Sequence, residues 1–362
     1  MNLRTALLAP ALSLLGACAA EHTARQAATT CPAPDLFAHA VCVCEDLTSV
    51  GRLRIQPAAG TTAGAAAQGT GSIGVNGRTS LVADADVAGT WYAWGGFSAV
   101  GATIGHSLIT PRDADFTGDA TISGDVVVGG DLTAVGALAV GGALAVGGHT
   151  DLIGDSQIAG RAAYADPGAA PCGCDDARLF DVAAAVALAK HQLAGTAAAT
   201  WSSTGTATHR LATGSYVVDA AELVGTSRID IDGTVSVFVD GSLTTVGEAT
   251  WKLAPGAQLD LFVSGNVEHV GNLVAGDRAR PDAFRLYVGG DRDTTVETVG
   301  TATFAGALYA PRAQVRYIGD TTVVGSIFAR TLEGVGTLTI DETTPLTPAS
   351  SCSLPPGDGV IL

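Results

Sequence analysis

Residues 116 to 160 read FTGDATISGDVVVGGDLTAVGALAVGGALAVGGHTDLIGDSQIAG, and this stretch decides the fold. Gly118, Gly124, Gly130, Gly136, Gly142, Gly148, Gly154 and Gly160 recur at every sixth position without a miss. Two residues before them stand Phe116, Ile122, Val128, Ala134, Val140, Val146, Leu152 and Ile158, an unbroken apolar column. Two residues after the first five come Ala120, Val126, Leu132, Leu138 and Leu144. Each hexad thus offers two inward positions around one outward position, the period of a short strand, and glycine marks the bend. A strand of three or four residues buries nothing alone, so the hexads must coil and stack. Three hexads per turn make a triangular prism of eighteen residues a turn. That geometry predicts three columns: Phe116 with Ala134 and Leu152, Ile122 with Val140 and Ile158, and Val128 with Val146. A low-complexity linker would have no reason to keep apolar residues in phase. The expected fold is all-β, a parallel β-helix (triangular β-solenoid) with one inserted α-helix and a Cys-rich N-terminal cap.

Outward from the hexads the chain divides into segments: 1–17, a leader; 18–50, the Cys-rich cap; 51–166, a first solenoid segment; 167–200, a loop with a helix; 201–345, a second solenoid segment; and 346–362, a tail. The helix is expected after Asp175 and Asp176, whose carboxylates suit a helix start, with Leu179, Val182, Ala183, Val186 and Ala189 on one face. It is expected on the flank or end of the solenoid, or as a hinge between two lobes. About thirteen coils at about 4.8 Å each predict a rod on the order of 60 Å long.

The leader carries Arg4, an apolar run from Ala6 to Leu15, and then Leu15, Gly16, Ala17 and Cys18. This resembles the lipobox of bacterial lipoproteins, which implies acylation of Cys18 and a membrane as partner through an N-terminal lipid anchor. By the same resemblance the non-acidic Ala19 implies the outer membrane. No later apolar run is long enough to suggest a spanning helix. The net charge is -16, and Lys occurs only at positions 190 and 252, so the clustered cations that nucleic-acid binding needs are missing. The acidity keeps an exposed rod soluble.

Beyond Cys18 there are six cysteines: Cys31, Cys42, Cys44, Cys172, Cys174 and Cys352. An even count in an exported chain points to disulfides, and fifteen pairings are open. The two Cys-x-Cys pairs could in principle build a four-thiolate zinc site, but an oxidising envelope favours disulfides. No cofactor or metal is expected.

In the second solenoid segment the marks are Val246–Gly247, Val270–Gly271, Val299–Gly300, Ile318–Gly319 and Val335–Gly336. The runs from Phe304 to Ala313 and from Val323 to Ala329, with Asp341 and the strand Leu259 to Gly265, resemble a bacterial surface domain of unknown function. That domain occurs in PilX-like pilus-associated proteins and myxobacterial lipoproteins, and the resemblance covers residues 215 to 345. The hexads are similar in style to bactofilins, which polymerise. Neither family brings catalytic residues.

Candidate chemistry is sparse. Asp119, Asp125 and Asp131 invite a calcium reading, but an eighteen-residue turn puts them at three different corners, where converging oxygens are not available. His106 and His149 resemble the lone bases of hexapeptide-coil acyltransferases, yet an exported chain meets no cytosolic acyl donor. Asp277, Arg278, Arg280, Asp282, Asp291, Arg292 and Asp293 form the one cluster of the kind polysaccharide-cleaving β-helices use. Trp91, Tyr92, Trp94 and Phe97 form a candidate ligand patch for sugar rings if exposed, and filler if they alternate inward and outward. The functional expectation is a non-enzymatic cell-envelope lipoprotein, a structural or adhesive surface β-solenoid that is monomeric because its ends are blocked. Its expected partners are the membrane and extracellular glycan or envelope and pilus proteins. The alternative is a carbohydrate-binding or polysaccharide-cleaving β-helix protein.

Overall fold

The computed structural model describes residues 39–57, 71–193 and 201–342. Short strands pair in parallel, in register, coil upon coil, as a β-solenoid. The three hexad columns are formed. Ala134 pairs with Phe116 and Leu152, Val140 with Ile122 and Ile158, and Val146 with Val128. Phe116, Ile122, Val128, Ala134 and Val140 are buried, whereas Val146, Leu152 and Ile158 are only partly so, since no described coil lies beyond them. Each fully buried Val, Leu or Ile contributes roughly 1.5–3 kcal/mol, and this repeated gain is what winds the coil.

The order of coils in space is not the order in sequence. The strand Trp201–Val218 pairs, among the described residues, only with Ala221–Val239. The coils then follow the chain to the long strand Thr295–Glu342. The last turn of that strand pairs with Val41–Val43 and Leu47–Pro57, which pair on their other side with Ile73–Val75 and Thr79–Val87. From there the coils run on to Ser156–Arg161. The chain therefore enters at mid-rod, winds out to one end, returns, and winds back from the other end to meet its own start. The two halves share one apolar core, in which Leu47, Leu53 and Ile55 join Leu332, Leu338 and Ile340. Backbone bonds cross the junction, as in Ile327 N–H to Ala40 O at 3.0 Å and Cys44 N–H to Ala329 O at 2.9 Å.

This corrects the expected N-terminal cap for its described part. Residues 41 to 57 have coils on both sides, because the apolar inward residues of residues 332 to 342 offer them a matching floor. Residues 18 to 38, with Cys18 and Cys31, and the tail with Cys352 lie outside the described residues.

One corner records the number of coils. Successive residues with positive φ stack there: Gly205, Gly225, Gly247, Gly271, Gly300, Gly319 and Gly336 in one half, then Gly51, Ala83, Gly101, Gly118, Gly136 and Gly154. These are thirteen levels, the expected number, and at about 4.8 Å each they give about 60 Å. Three of the five remaining hexad glycines serve another purpose. Gly130, Gly142 and Gly148 have ordinary φ, but a Cβ there would strike the carboxylate of Asp113, Asp125 or Asp131 in the neighbouring coil.

The return passage runs down one flank. Tyr164 lies over Gly129 and Gly147, and Pro171 and Cys172 lie over Gly74, where a Cβ would block them. The helix Val182–Gln192 follows, capped by Asp181, whose carboxylate accepts from Ala184 N–H at 2.9 Å. Asp175 and Asp176 do not start it. Asp175 instead closes a turn, accepting from Ala177 and Arg178. The helix buries Val182, Ala185, Val186 and Ala189 on the flank of the second half, and so is neither an end cap nor a hinge.

Candidate functional surfaces

Four of the six cysteines lie in the described residues and pair as two disulfides, Cys42–Cys172 and Cys44–Cys174. They fasten the return passage to the strand where the two halves meet. Asn76 reinforces the fastening, donating to Cys172 O at 2.9 Å and accepting from its N–H at 3.0 Å. In the outward row of the same face, Cys42 pairs with Phe328 in a file of rings that includes Phe238, Phe262, Tyr287 and Tyr309. Phe238 and Phe262 stack at 4.8 Å, and Phe262 and Tyr287 at 4.6 Å. Phe180 packs across this file, and its N–H donates to Tyr309 Oη at 2.8 Å. Burial pushes the Tyr287 and Tyr309 hydroxyls well above the usual range, so both stay protonated. In the row two residues before Phe262 and Tyr287 the Asp260 carboxylate and the Arg285 guanidinium form a two-point ion pair, almost fully buried.

The candidate aromatic patch divides. Trp91 and Phe97 point into the solenoid, fully enclosed, with ring centroids 5.2 Å apart. Phe97 continues to Phe116 at 5.4 Å, and together they fill a wider coil. Tyr92 and Trp94 are outward and half-buried, and Tyr92 rests against the His39 ring at 5.3 Å. The filler arrangement is the one formed, so no four-ring platform faces solvent.

The acidic corners hold coil to coil. Asp113 accepts from Asp131 N–H at 2.9 Å, Asp125 from Ala143 N–H at 2.7 Å, and Asp131 from His149 N–H at 2.7 Å. Each carboxylate receives a backbone N–H from the next coil, and Asp119 does the same for Ala137 at a longer 3.4 Å. No group of three or more metal-ligating side chains converges among the described residues. His149 is exposed beside Asp131, and His106 Nδ1 shares hydrogen bonds with Thr90 and Ser107.

The Asp and Arg cluster also resolves into local partnerships. Arg280 binds Asp277 and the carbonyls of Ala254 and Ala257, Arg278 pairs with Asp341, and Arg292 reaches Glu45 across the junction. Asp291 accepts from Asp293 N–H in a turn. Two open grooves of about 430 Å3 each lie on the face that follows the glycine corner, one around Arg52, Arg54, Asp84 and Asp86, the other around Arg210, Arg228, Asp230 and Lys252. Their charges are largely matched within each groove, as in Arg54–Asp86 at 3.4 Å and Arg228–Asp230 at 2.8 Å. Exposed pairs of this kind contribute little to stability.

Inside the rod, a cavity of about 90 Å3 is lined mostly by apolar residues, together with His269, Thr298, Arg316, Tyr317 and Thr321. His269 Nδ1 is 2.6 Å from Thr245 Oγ1, and burial lowers its pKa. Sequence reading missed this inward polar row because it occupies positions the hexad pattern assigns to apolar residues. Its only mark is Thr or His two places before the corner glycine, at Thr245, His269 and Thr298.

Among known proteins, a family model described as a domain of unknown function (DUF7305) matches residues 181–344. No curated protein matches. Among solved structures the chain is similar to an ice binding protein from an Antarctic bacterium Flavobacteriaceae. The match has 13% identity, covers 89% of this chain and 100% of that one, and has a TM-score of 0.24.

Proposed function

We propose that this chain is a non-enzymatic cell-envelope lipoprotein, acylated at Cys18, whose stiff β-solenoid is a structural or adhesive element of the surface. The observation that carries the reading is the use made of polar groups along the rod. Corner carboxylates bind the next coil, and the charged clusters that looked like chemistry in the sequence are engaged in turns and ion pairs. What is left is a long wall, suited to presentation.

The topology also says how such an anchor would hold it. The described chain starts at His39 and stops at Glu342, both at the junction in mid-rod. A lipid at Cys18 would therefore tether the solenoid by its waist through twenty residues, at most about 70 Å of chain, leaving both ends and the long faces free. The partners that fit are extracellular glycan or envelope and pilus proteins. The outer membrane, PilX association and myxobacterial kinship belong to this proposal.

Incorporation of labelled palmitate, with Cys18→Ala as control, tests the anchor. Protease accessibility on whole cells tests surface display. Labelling that survives the substitution, or protection of the protein on intact cells, would remove the lipoprotein or the surface part of the reading respectively. A glycan array on the purified chain tests the carbohydrate alternative.

A further inference from the structure

The outward residue immediately before the corner glycine is apolar at almost every level of the rod. The row runs from Val224 through Val246, Val270, Val299 and Ile318 to Val335. It then crosses the junction without a break, through Val50, Val82, Val100, Thr117 and Val135 to Ile153. Nine large hydrophobic residues are exposed among the described residues, and eight of them, 40 to 57 % exposed, stand in this single row. The ninth is Val274. Scattered exposed apolar residues are ordinary, but eight aligned in one row, with half-buried Val224, Val299 and Ile318 in the same line and Thr117 its one polar member between Val224 and Ile153, are not.

The row is made by residues from both ends of the chain. Val335 and Val50 are neighbours across the junction, yet 285 positions apart in sequence. The corner geometry requires the glycine, whose φ is positive, but it does not require the residue before it to be apolar. That outward position could carry Lys, Glu or Ser at no cost to the core. Its occupants are Val, Ile or Thr at all thirteen levels, with Thr204 at the first, and none is charged.

We infer that this row is a docking surface for a second copy of this chain, the two rods lying side by side. Three arguments select that occupant. First, the row repeats every 4.8 Å or so, and a wound β rod is a partner whose side chains repeat with the same step, so each valine of one copy can seat between two of the other. Second, the backbone of every coil is already paired with its neighbours, so an added peptide strand would find no free edge on this line. Third, the row offers no rings and, apart from the Thr204 and Thr117 hydroxyls, no hydrogen-bond donor to hold sugars, and the outward row beside it carries Glu222, Glu268, Glu297, Glu333, Asp115 and Asp151 against one cation, Arg316, so an anionic membrane would find no basic patch there.

Twelve levels span about 50 Å, and a strip about 10 Å wide gives about 500 Å2 per partner. Standard interfaces bury about 800 Å2 per partner, so the contact falls at the weak, reversible end. Its dissociation constant should lie in the micromolar range. The flanking carboxylates repel across the contact, so salt should tighten the dimer, opposite to an association driven by opposite charges.

Sedimentation velocity on the purified full chain, over a wide range of concentration and at low and high salt, tests this. The expected result is a monomer–dimer equilibrium that shifts toward dimer with salt. Val82→Thr, Val100→Thr and Val135→Thr together keep shape and β propensity at exposed positions, and should weaken association at least about tenfold with the monomer folded as before. A second variant, Val274→Thr, removes the exposed valine outside the row and should leave the equilibrium unchanged. A wild-type chain that stays monomeric throughout, or a triple variant that associates as the wild type does, overturns the inference. So does an association that salt weakens.

Discussion

Tyr317 Oη lies 2.9 Å from Ser49 Oγ, a buried hydrogen bond between residues 268 positions apart that joins the last described coils of the chain to its first. The ring passes over Gly334, where any Cβ would collide with it. Tyr317 thus skips one coil and reaches the next, filling space at the place where the two halves meet. Burial raises its hydroxyl pKa, so it remains protonated at physiological pH. Tyr317→Phe should cost about 1–2 kcal/mol, the value of a buried bond whose partner is left unsatisfied. Tyr317→Ala should cost about 3–5 kcal/mol by opening a void continuous with the nearby cavity. Ser49→Ala combined with Tyr317→Phe should cost less than the sum of the two single changes. Denaturant unfolding of the four proteins measures this, and strict additivity would show that the two groups do not interact.

The two disulfides close loops of the same length, each spanning 130 positions, and they are displaced by only two residues. Loop-closure entropy for a loop of that size is worth about 4–5 kcal/mol, but the second bridge constrains an unfolded chain the first has already tied. Replacing Cys42 and Cys172 by alanine, or Cys44 and Cys174, should therefore cost about 1 kcal/mol, mainly in lost packing. Replacing all four should cost several times the sum of the two. Equal and additive losses in thermal unfolding would contradict the shared-loop account.

The hexad half was legible because period and burial agree there as far as Leu144, as in Ile122 and Val140, and the inward column weakens only at Val146, Leu152 and Ile158, beyond which no described coil lies. The closing of the chain on itself was not, since parallel pairing between residues 332–342 and 47–57 joins segments far apart in sequence, and the period of each strand alone does not say which other strand it meets. A signal did exist: Val50 and Gly51 repeat the pair found at Val335 and Gly336, and the two Cys-x-Cys pairs stand at equal separation, as expected for two segments fastened side by side. The helix start was misplaced because Asp175, Asp176 and Asp181 are equivalent as local caps. Packing of Phe180 into the aromatic file selects Asp181. The aromatic patch depended on which way alternate residues face, and register alone settled that for Trp91 and Phe97.

Ala83 is the one described residue other than glycine with positive φ, at 131°, and it occupies a level of the corner that glycine holds everywhere else. It sits where the register with the next coil shifts, between Val82 and Ala85. Ala83→Gly should relieve strain of about 1–2 kcal/mol and give back part of it as unfolded-state entropy, for a net gain of about 1 kcal/mol. The reverse change at a regular level, Gly247→Ala, puts a Cβ against the Gly225 carbonyl and should cost more than about 2 kcal/mol. Paired chemical denaturation curves check both signs. A destabilised Ala83→Gly would mean the bulge needs its methyl group.

Glu342 closes the last coil, 4 % exposed, and its carboxylate accepts from Gly71 N–H where the first half resumes. Burial pushes its pKa from 4.5 up to about 7, with the Gly71 bond opposing. The folded chain therefore binds this proton more tightly than the unfolded one. The resulting stabilisation is complete below pH 4.5 and is lost as pH rises through about 7, amounting to about 3 kcal/mol in all. His39 and His269, whose pKa values burial lowers from 6.5, act in the opposite sense and cost stability as pH falls below 6.5. The wild-type curve mixes both effects, so the informative quantity is its difference from Glu342→Gln, which keeps an acceptor for Gly71 and cannot ionise. That difference should be small at pH 4.5 and should grow in favour of the variant up to about pH 7. A difference that stays flat over this range would show that Glu342 titrates in the folded chain as it does in water.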